Sequence, residues 1–424
     1  MVSKLVRLTI LLTSTVFAFT LVVLLGSNLY RKKEIVRVIQ PSAAAKLGPE
    51  LQSMKEDSVQ SFPVAYNSTH LWSMRVADKE HYRIVNLVPC RDVFYHAHRG
   101  TGINETMNHC NEKTREEFSV ESTLQAQQWI FNHQNPMNCQ NKRFAIIHKY
   151  AWSGFGSTIH QIVWALATAI GNDRIAVYQK PGGWQYGSCE WSNPDCLFLP
   201  ISNCSVPTQI DGTQVIRLAA DIDHWYRPAY PSVFQKRSFN WYRSQLLFYL
   251  MRFNAKILAH IQNTVARDFV PPSIDFHRPY IAIYIRRSDK VNREMGRAFT
   301  LQEYFDLFNA DARRAQISTV YINSEDDSVF SEFETVNKKY GGYYKLIRIK
   351  AEKNIVFMTL MGMDTNQRGK IVLEFLTDLY IEANADLHSG TLTSNWCRLV
   401  DEMRFVLGKM LPFYTPEHIY HSDV

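Results

Sequence analysis

Tyr280-Ile281-Ala282-Ile283-Tyr284-Ile285 is a short β-branched and aromatic run that stops at Arg286-Arg287-Ser288-Asp289-Lys290. An apolar run of this length reads as a strand buried on both faces, the habit of a mostly parallel sheet. Ligands of such sheets bind beyond the carboxyl ends of the strands. Two arginines, an aspartate and a lysine at that point mark a site for an anionic ligand, with groups left over for chemistry.

The neighbouring pattern agrees with a parallel sheet. Strands are expected at residues 319–323, 344–349 and 385–388, and helices at 301–309, 329–339, 370–383 and 394–407. That alternation predicts a doubly wound, Rossmann-type sheet. Upstream, a helix over 115–133 ends at Asn135-Pro136, and a strand over 143–148 leads through Gly154-Phe155-Gly156-Ser157-Thr158 into an apolar helix from 159 to 170. A further helix is expected over 241–263, before the boundary at Pro271-Pro272. The expected class is α/β with two α/β units, residues 135–272 and 273–424.

The N-terminal third has a different character. Residues 8–26 carry no charge and match the length of a membrane-spanning helix. The competing reading is a cleaved signal peptide, whose apolar core is shorter, and Gly26-Ser27-Asn28 is a poor cleavage site. The expected order is a cytoplasmic tail (1–7), an anchor (8–26), and a stem with a helical region (27–134). Lys4 and Arg7 before the span face Arg31, Lys32 and Lys33 after it, so loop charge does not settle orientation. Glycosylation triplets at Asn67, Asn104 and Asn203 place the bulk of the chain in the secretory lumen. So does the crowding of six of the seven cysteines before residue 205. The net charge of +7 over 424 residues, with no Lys/Arg block, excludes nucleic acid as a partner.

Other chemistries find little support. The glycine loop lacks the third glycine of a dinucleotide fingerprint and the Gly-Lys-Ser/Thr of a P-loop, so by itself it reads as a strand-to-helix turn. His160, in the next turn, reads by itself as structural. Glu325-Asp326-Asp327 and Asp221-Ile222-Asp223 have no histidine partners, and no Cys-x-x-Cys occurs, so no metal is expected. A Gly-x-Ser-x-Gly elbow is absent.

Five ordered blocks carry a family resemblance: Gln134-Asn135-Pro136 with Cys139, Gly154-Phe155-Gly156 with His160, Ser244 to Arg252, Arg286 to Val291, and Thr393-Ser394-Asn395-Trp396-Cys397-Arg398. Together they resemble the α1,6-fucosyltransferases, which include the animal enzymes of N-glycan core fucosylation and, more distantly, bacterial nodulation enzymes. The resemblance implies a GT-B-like enzyme that inverts configuration, uses GDP-fucose as donor, needs no metal and acts on the innermost GlcNAc of N-glycans from the Golgi lumen as a type II membrane protein. By position it makes Arg286 and Arg287 the holders of the diphosphate, Glu294 the general base with Lys290 beside it, and Asp289 the acid of the same loop. Tyr304, Asp378 (guanine) and Ser394 (phosphates) fall at donor positions, with His160, Gly154 and Gly156 on the donor side. Glu325 and Asp326 fall at an Asp-Asp pair taken as acceptor-binding. It also implies a Cys139–Cys204 disulfide and leaves Cys397 free, since its family partner is Gly390 here; Cys189–Cys196 and Cys90–Cys110 are pairings suggested by proximity.

Several positions depart from the pattern. Tyr284 stands where the family has a histidine. The chain shows no stem heptads and ends at Val424, where the animal enzyme's SH3 domain would begin, so a homodimer is left open. A different acceptor and a catalytically weak glycan- or nucleotide-binding relative remain the alternatives.

Overall fold

In the computed structural model the described residues are 79–88, 112–187, 189–205, 212, 214–221, 228–270, 278–287, 291, 297–350, 355, 357–411 and 413–417. The expected span 8–26, Asn67, Asn104, Cys90, Cys110, Asp223, Asp289, Lys290 and Glu294 lie outside them. No helix among the described residues is long and apolar enough to cross a membrane.

Among the described residues three helices come first: α1 (Lys79–Val85), α2 (Glu112–Glu117) and α3 (Val120–Gln134). The helix expected over 115–133 is therefore two. Ser119 ends the first by taking an extended conformation, and its hydroxyl accepts the Ser122 amide at 3.0 Å. A three-stranded parallel sheet follows from β1 (Phe144–His148), α4 (Phe155–Gly171), β2 (Ile175–Tyr178) and β3 (Val215–Ala219), in the order β2-β1-β3. Next come α5 (Phe239–Leu250) and α6 (Ala255–Arg267). They replace the single helix expected over 241–263, because Asn254 restarts the ladder by accepting the Ile257 amide at 3.0 Å.

The second sheet is built from β4 (Phe269–Val270), β5 (Ile281–Ile285), α7 (Leu301–Arg314), β6 (Thr319–Ser324), α8 (Ser328–Lys339), β7 (Lys345–Ile349), α9 (Phe357–Gly362), α10 (Thr365–Asn384), β8 (Leu387–Ser389), α11 (Asn395–Val406) and β9 (Phe413–Tyr414). Its order is β4-β7-β6-β5-β8-β9, parallel except where β4 meets β7. All five residues of β5 are buried, as the apolar run requires. On one face Ile281, Ile283, Val320 and Ile322 meet Leu301, Phe305, Phe308 and Phe333 of α7 and α8; on the other Ala282 and Tyr321 meet Ile381 of α10. The order of connection reverses between β5 and β8, which is the switch point where such sheets open a ligand crevice.

The start of that switch point is pinned by charge. Asp386, fully buried, accepts the Arg278 guanidinium and the Tyr280 amide (3.1 Å), and thus sets β8 beside β5. Asp386→Ala should strand Arg278 in the interior and cost about 3–5 kcal/mol. Guanidinium unfolding would read this as a lower midpoint, and an unchanged midpoint would contradict the assignment.

Candidate functional site

Arg286 and Arg287 leave β5 at its C-terminal end and meet the loop after β6. The Glu325 carboxylate accepts the Arg287 amide at 2.8 Å and pairs with the Arg286 guanidinium at 3.2 Å. The Arg287 guanidinium turns instead to α8. Glu332 takes it bidentately (Nη2 to Oε2 2.8 Å), with Asp326 at 3.3 Å and the Ser328 hydroxyl at 3.2 Å. That carboxylate fork stabilises the guanidinium charge of Arg287. Partial burial works to raise the Asp326 carboxyl, but hydrogen bonds from Ser328 and Arg287 outweigh it and hold it below the usual carboxylate range. Glu325 and Asp326 are thus part of one ion-pair cluster with the arginines.

Two helix N-termini come together close by. Gly154 caps α4 and Ser394 caps α11, neither with a side-chain hydrogen bond to the helix backbone. Helix α4 begins at Phe155, four residues earlier than the pattern suggests, so Gly154-Phe155-Gly156 is its first turn. A Cβ on Gly156 would stand 2.9 Å from the Asn395 backbone, whereas one on Gly154 would meet nothing within 4 Å. The Asn395 amide donates to the Ser157 hydroxyl at 2.7 Å and clips the two turns together. Exposed helix N-termini concentrate unpaired N–H groups and partial positive charge, a setting that accepts anions.

Buried carboxylates hold this arrangement from below. Glu402 of α11 meets His160 of α4 at 3.1 Å and Arg243 of α5 at 2.7 Å, so His160 is a structural link behind the first turn of α4. Glu382 of α10 accepts the Asn323 amide (2.7 Å) and the Trp396 indole N–H (3.0 Å), and lies 2.9 Å from the His388 ring. Tyr284 packs inward against Trp396, with ring centroids 6.1 Å apart, in a cluster with Leu392, Cys397 and Phe413. Burial pushes the Tyr284 phenol well up.

The remaining candidates are spread out. Asp378 is buried on α10, where it accepts the hydroxyl of Tyr321, a mid-strand residue of β6. Tyr304 is fully buried on α7, its hydroxyl without a partner and within the electrostatic reach of Arg287 and Glu325. Cys139 and Cys204 are joined, as are Cys189 and Cys196, and Cys397 is free and buried. Asn203 is exposed in the loop that the first disulfide closes. Among the described residues no group of three or more His, Cys, Asp or Glu is placed to hold a metal ion.

Sequence reasoning missed Glu332, Glu382, Glu402 and Arg243. Two of them left a signal: a carboxylate inside Leu379-Tyr380-Ile381-Glu382-Ala383, and another in Leu399-Val400-Asp401-Glu402-Met403, each interrupting a buried helical stretch. Glu332 left none, since a glutamate on α8 looks like a solvated helix face.

Fold and site together define a doubly wound α/β protein with arginines at the switch point of its larger sheet and two helix N-termini that meet each other. The chain belongs to the α-(1,6)-fucosyltransferase family: the model of that family's N- and catalytic domains matches residues 98–220 and 232–409, more than half of the chain. The α-(1,6)-fucosyltransferase of Caenorhabditis elegans is 24% identical over 307 residues, covering 64% of this chain and 51% of the worm protein. The chain therefore spans about half the length of that curated relative. Crystal structures of POFUT1 in complex with GDP-fucose and of the fucosyltransferase NodZ from Bradyrhizobium are also similar, at 12% and 13% identity and TM-scores of 0.38 and 0.37. They cover 65% and 61% of this chain and 98% and 92% of their own.

Two pairs of variants separate ligand-facing from structural groups. Gly156→Ala should force the α4–α11 contact apart and cost about 1–3 kcal/mol, while Gly154→Ala, an N-cap change that meets no neighbour, should cost less, about 0.5 kcal/mol. Arg286→Ala, which removes one pair to Glu325, should change the melting temperature little. Arg287→Ala should instead lower the melting temperature, as Glu332 and Asp326 lose their partner at a cost of about 1–3 kcal/mol. Melting curves that rank either pair the other way would refute these assignments.

Proposed function

We propose that the protein is an inverting glycosyltransferase that moves L-fucose from GDP-fucose to a glycan hydroxyl, α1,6 to the innermost GlcNAc of N-glycans. The observation that carries the reading is Arg286 at the C-terminal end of β5, two residues beyond Tyr284, whose ring meets Trp396 in the first turn of α11, in a chain of the α-(1,6)-fucosyltransferase family. In this reading the two sheets are the halves of a GT-B-like enzyme, residues 135–272 and 273–424, and the donor lies on the larger one.

The acceptor oxygen attacks the fucose anomeric carbon as the bond from that carbon to the GDP oxygen breaks. The acceptor proton passes to Glu294, with Lys290 orienting the carboxylate and Asp289 in the same loop, roles that rest on the family pattern. GDP departs with additional negative charge, which Arg286 and the α4 and α11 N-termini stabilise without reorganising. Ser394 stands at the α11 cap for a phosphate contact, and Asp378 and Tyr304 take the donor roles of the family. No metal takes part. Residues 8–26 anchor the chain in the Golgi membrane with the enzyme in the lumen. A fucosyltransferase for a different acceptor is the second reading. It is favoured by Glu325 and Asp326, whose carboxylates are held against the arginines.

The test incubates the full-length protein in detergent with GDP-fucose and an agalacto-biantennary N-glycan, and reads products by mass. The expected product gains one deoxyhexose on the innermost GlcNAc, in EDTA as well as without it, and Glu294→Gln lowers the rate by roughly 100-fold or more. No deoxyhexose on any glycan supplied would remove the enzymatic reading.

A further inference from the structure

Trp152 is 66% exposed at the rim of the small sheet, although tryptophan seldom leaves so much of its ring in water. The exposure is built in. Just before the ring, the Gln185 amide donates to the Ala151 carbonyl at 2.7 Å, and just after it the Tyr186 hydroxyl donates to the Ser153 carbonyl. Phe357, at the start of α9, meets the indole nearly perpendicularly, with centroids 5.4 Å apart at 83°. Backbone and ring are both held, and indole surface is left open beside the α4 N-terminus two residues on.

The polar rim next to it carries an ion pair. Lys149 follows β1 and Asp221 follows β3, and they pair at 3.0 Å with side chains 68% and 27% exposed. The Ala151 amide donates to the Ala220 carbonyl at 2.9 Å, which brings the Trp152 segment alongside Asp221. A rigid apolar ring flanked by an ammonium and a carboxylate offers a stacking face with a hydrogen-bond donor and an acceptor at its edge. It suits an uncharged pyranose, whose C–H face lies on the indole while its hydroxyls exchange hydrogen bonds with both ends of the pair.

We propose that Trp152, supported by Phe357 and flanked by Lys149 and Asp221, is a saccharide-binding subsite that takes a neutral pyranose of the acceptor glycan. The proposal rests on the fucosyltransferase reading for the identity of its ligand, but binding can be measured without transfer. A preorganised ring binds without the entropy cost of ordering a mobile one.

The test titrates agalacto-biantennary N-glycan into the full-length protein by calorimetry, in parallel with GDP, for the wild type and for Trp152→Ala, Trp152→Phe and Met137→Ala. Met137 is a fully exposed apolar residue elsewhere on the surface. Trp152→Ala should weaken glycan binding roughly three- to tenfold and leave GDP binding within about twofold. Trp152→Phe should recover most of the loss, and Met137→Ala should show none. In the transfer assay the same change should appear in the KM for glycan and not in the KM for GDP-fucose. Wild-type glycan affinity in Trp152→Ala, or an equal loss for GDP, would overturn the proposal. A Trp152-dependent glycan affinity in a protein that transfers no fucose would keep the subsite and discard the enzymatic reading.

Discussion

The carboxylate of Glu402 is the contact on which the site's geometry depends. It is almost fully buried on α11 and is held by His160 of α4 and Arg243 of α5, both from the segment that carries the small sheet. A carboxylate removed from water costs several kcal/mol unless its partners are correctly placed. Any slide or rotation of α11 against α4 would therefore separate a buried charge from its partners. The result is a fixed register between the helices, and it allows the bare backbone of Gly156 to rest against Asn395. The convergence of two helix N-termini at one point follows from that register.

Glu382 does the corresponding work beneath the large sheet. Its oxygens join Asn323 of β6, His388 of β8 and Trp396 of α11, three elements around the switch point. Trp396 is then placed to receive the ring of Tyr284. The aromatic residue at that position belongs to the packed layer under the strand ends, while the cationic groups stand above it. Two buried carboxylates thus position the platform from which Arg286 projects, and neither needs to touch a ligand to matter.

The large sheet was legible because burial on both faces leaves a strand with an unbroken apolar run, as β5 shows. The small sheet was less so. Strand β2 has only four residues, and β3 carries Arg217 in its middle, so neither stands out from a loop pattern. The breaks at Ser119 and Asn254 were overlooked because apolar spacing continues through Phe118 and through Met251 and Phe253, while the caps act only through local hydrogen bonds. Arg286 and Arg287 were legible from their place at a strand end. The Arg287 partner Glu332 lies 45 residues along the chain, a pairing that only the three-dimensional arrangement creates.

Successive residues leaving a strand point to opposite sides, and this divides the arginine pair. Arg287 swings to α8, where both arms of its fork are taken by Glu332. The Arg286 guanidinium pairs with the same Glu325 oxygen that receives the Arg287 amide. A glutamate at position 325 has the reach to serve both groups at once, with Asp326 left for the guanidinium of Arg287. Holding the loop after β6 against the end of β5 thus engages both arginines and two acidic residues. For both guanidiniums to grip one diphosphate, Arg287 would first have to leave a bidentate carboxylate, exchanging one strong charge-assisted pair for another with little net gain. The two residues look equivalent in the sequence, but the structure ties the Arg287 guanidinium to α8 through Glu332 and the Arg286 guanidinium to the loop after β6 through Glu325.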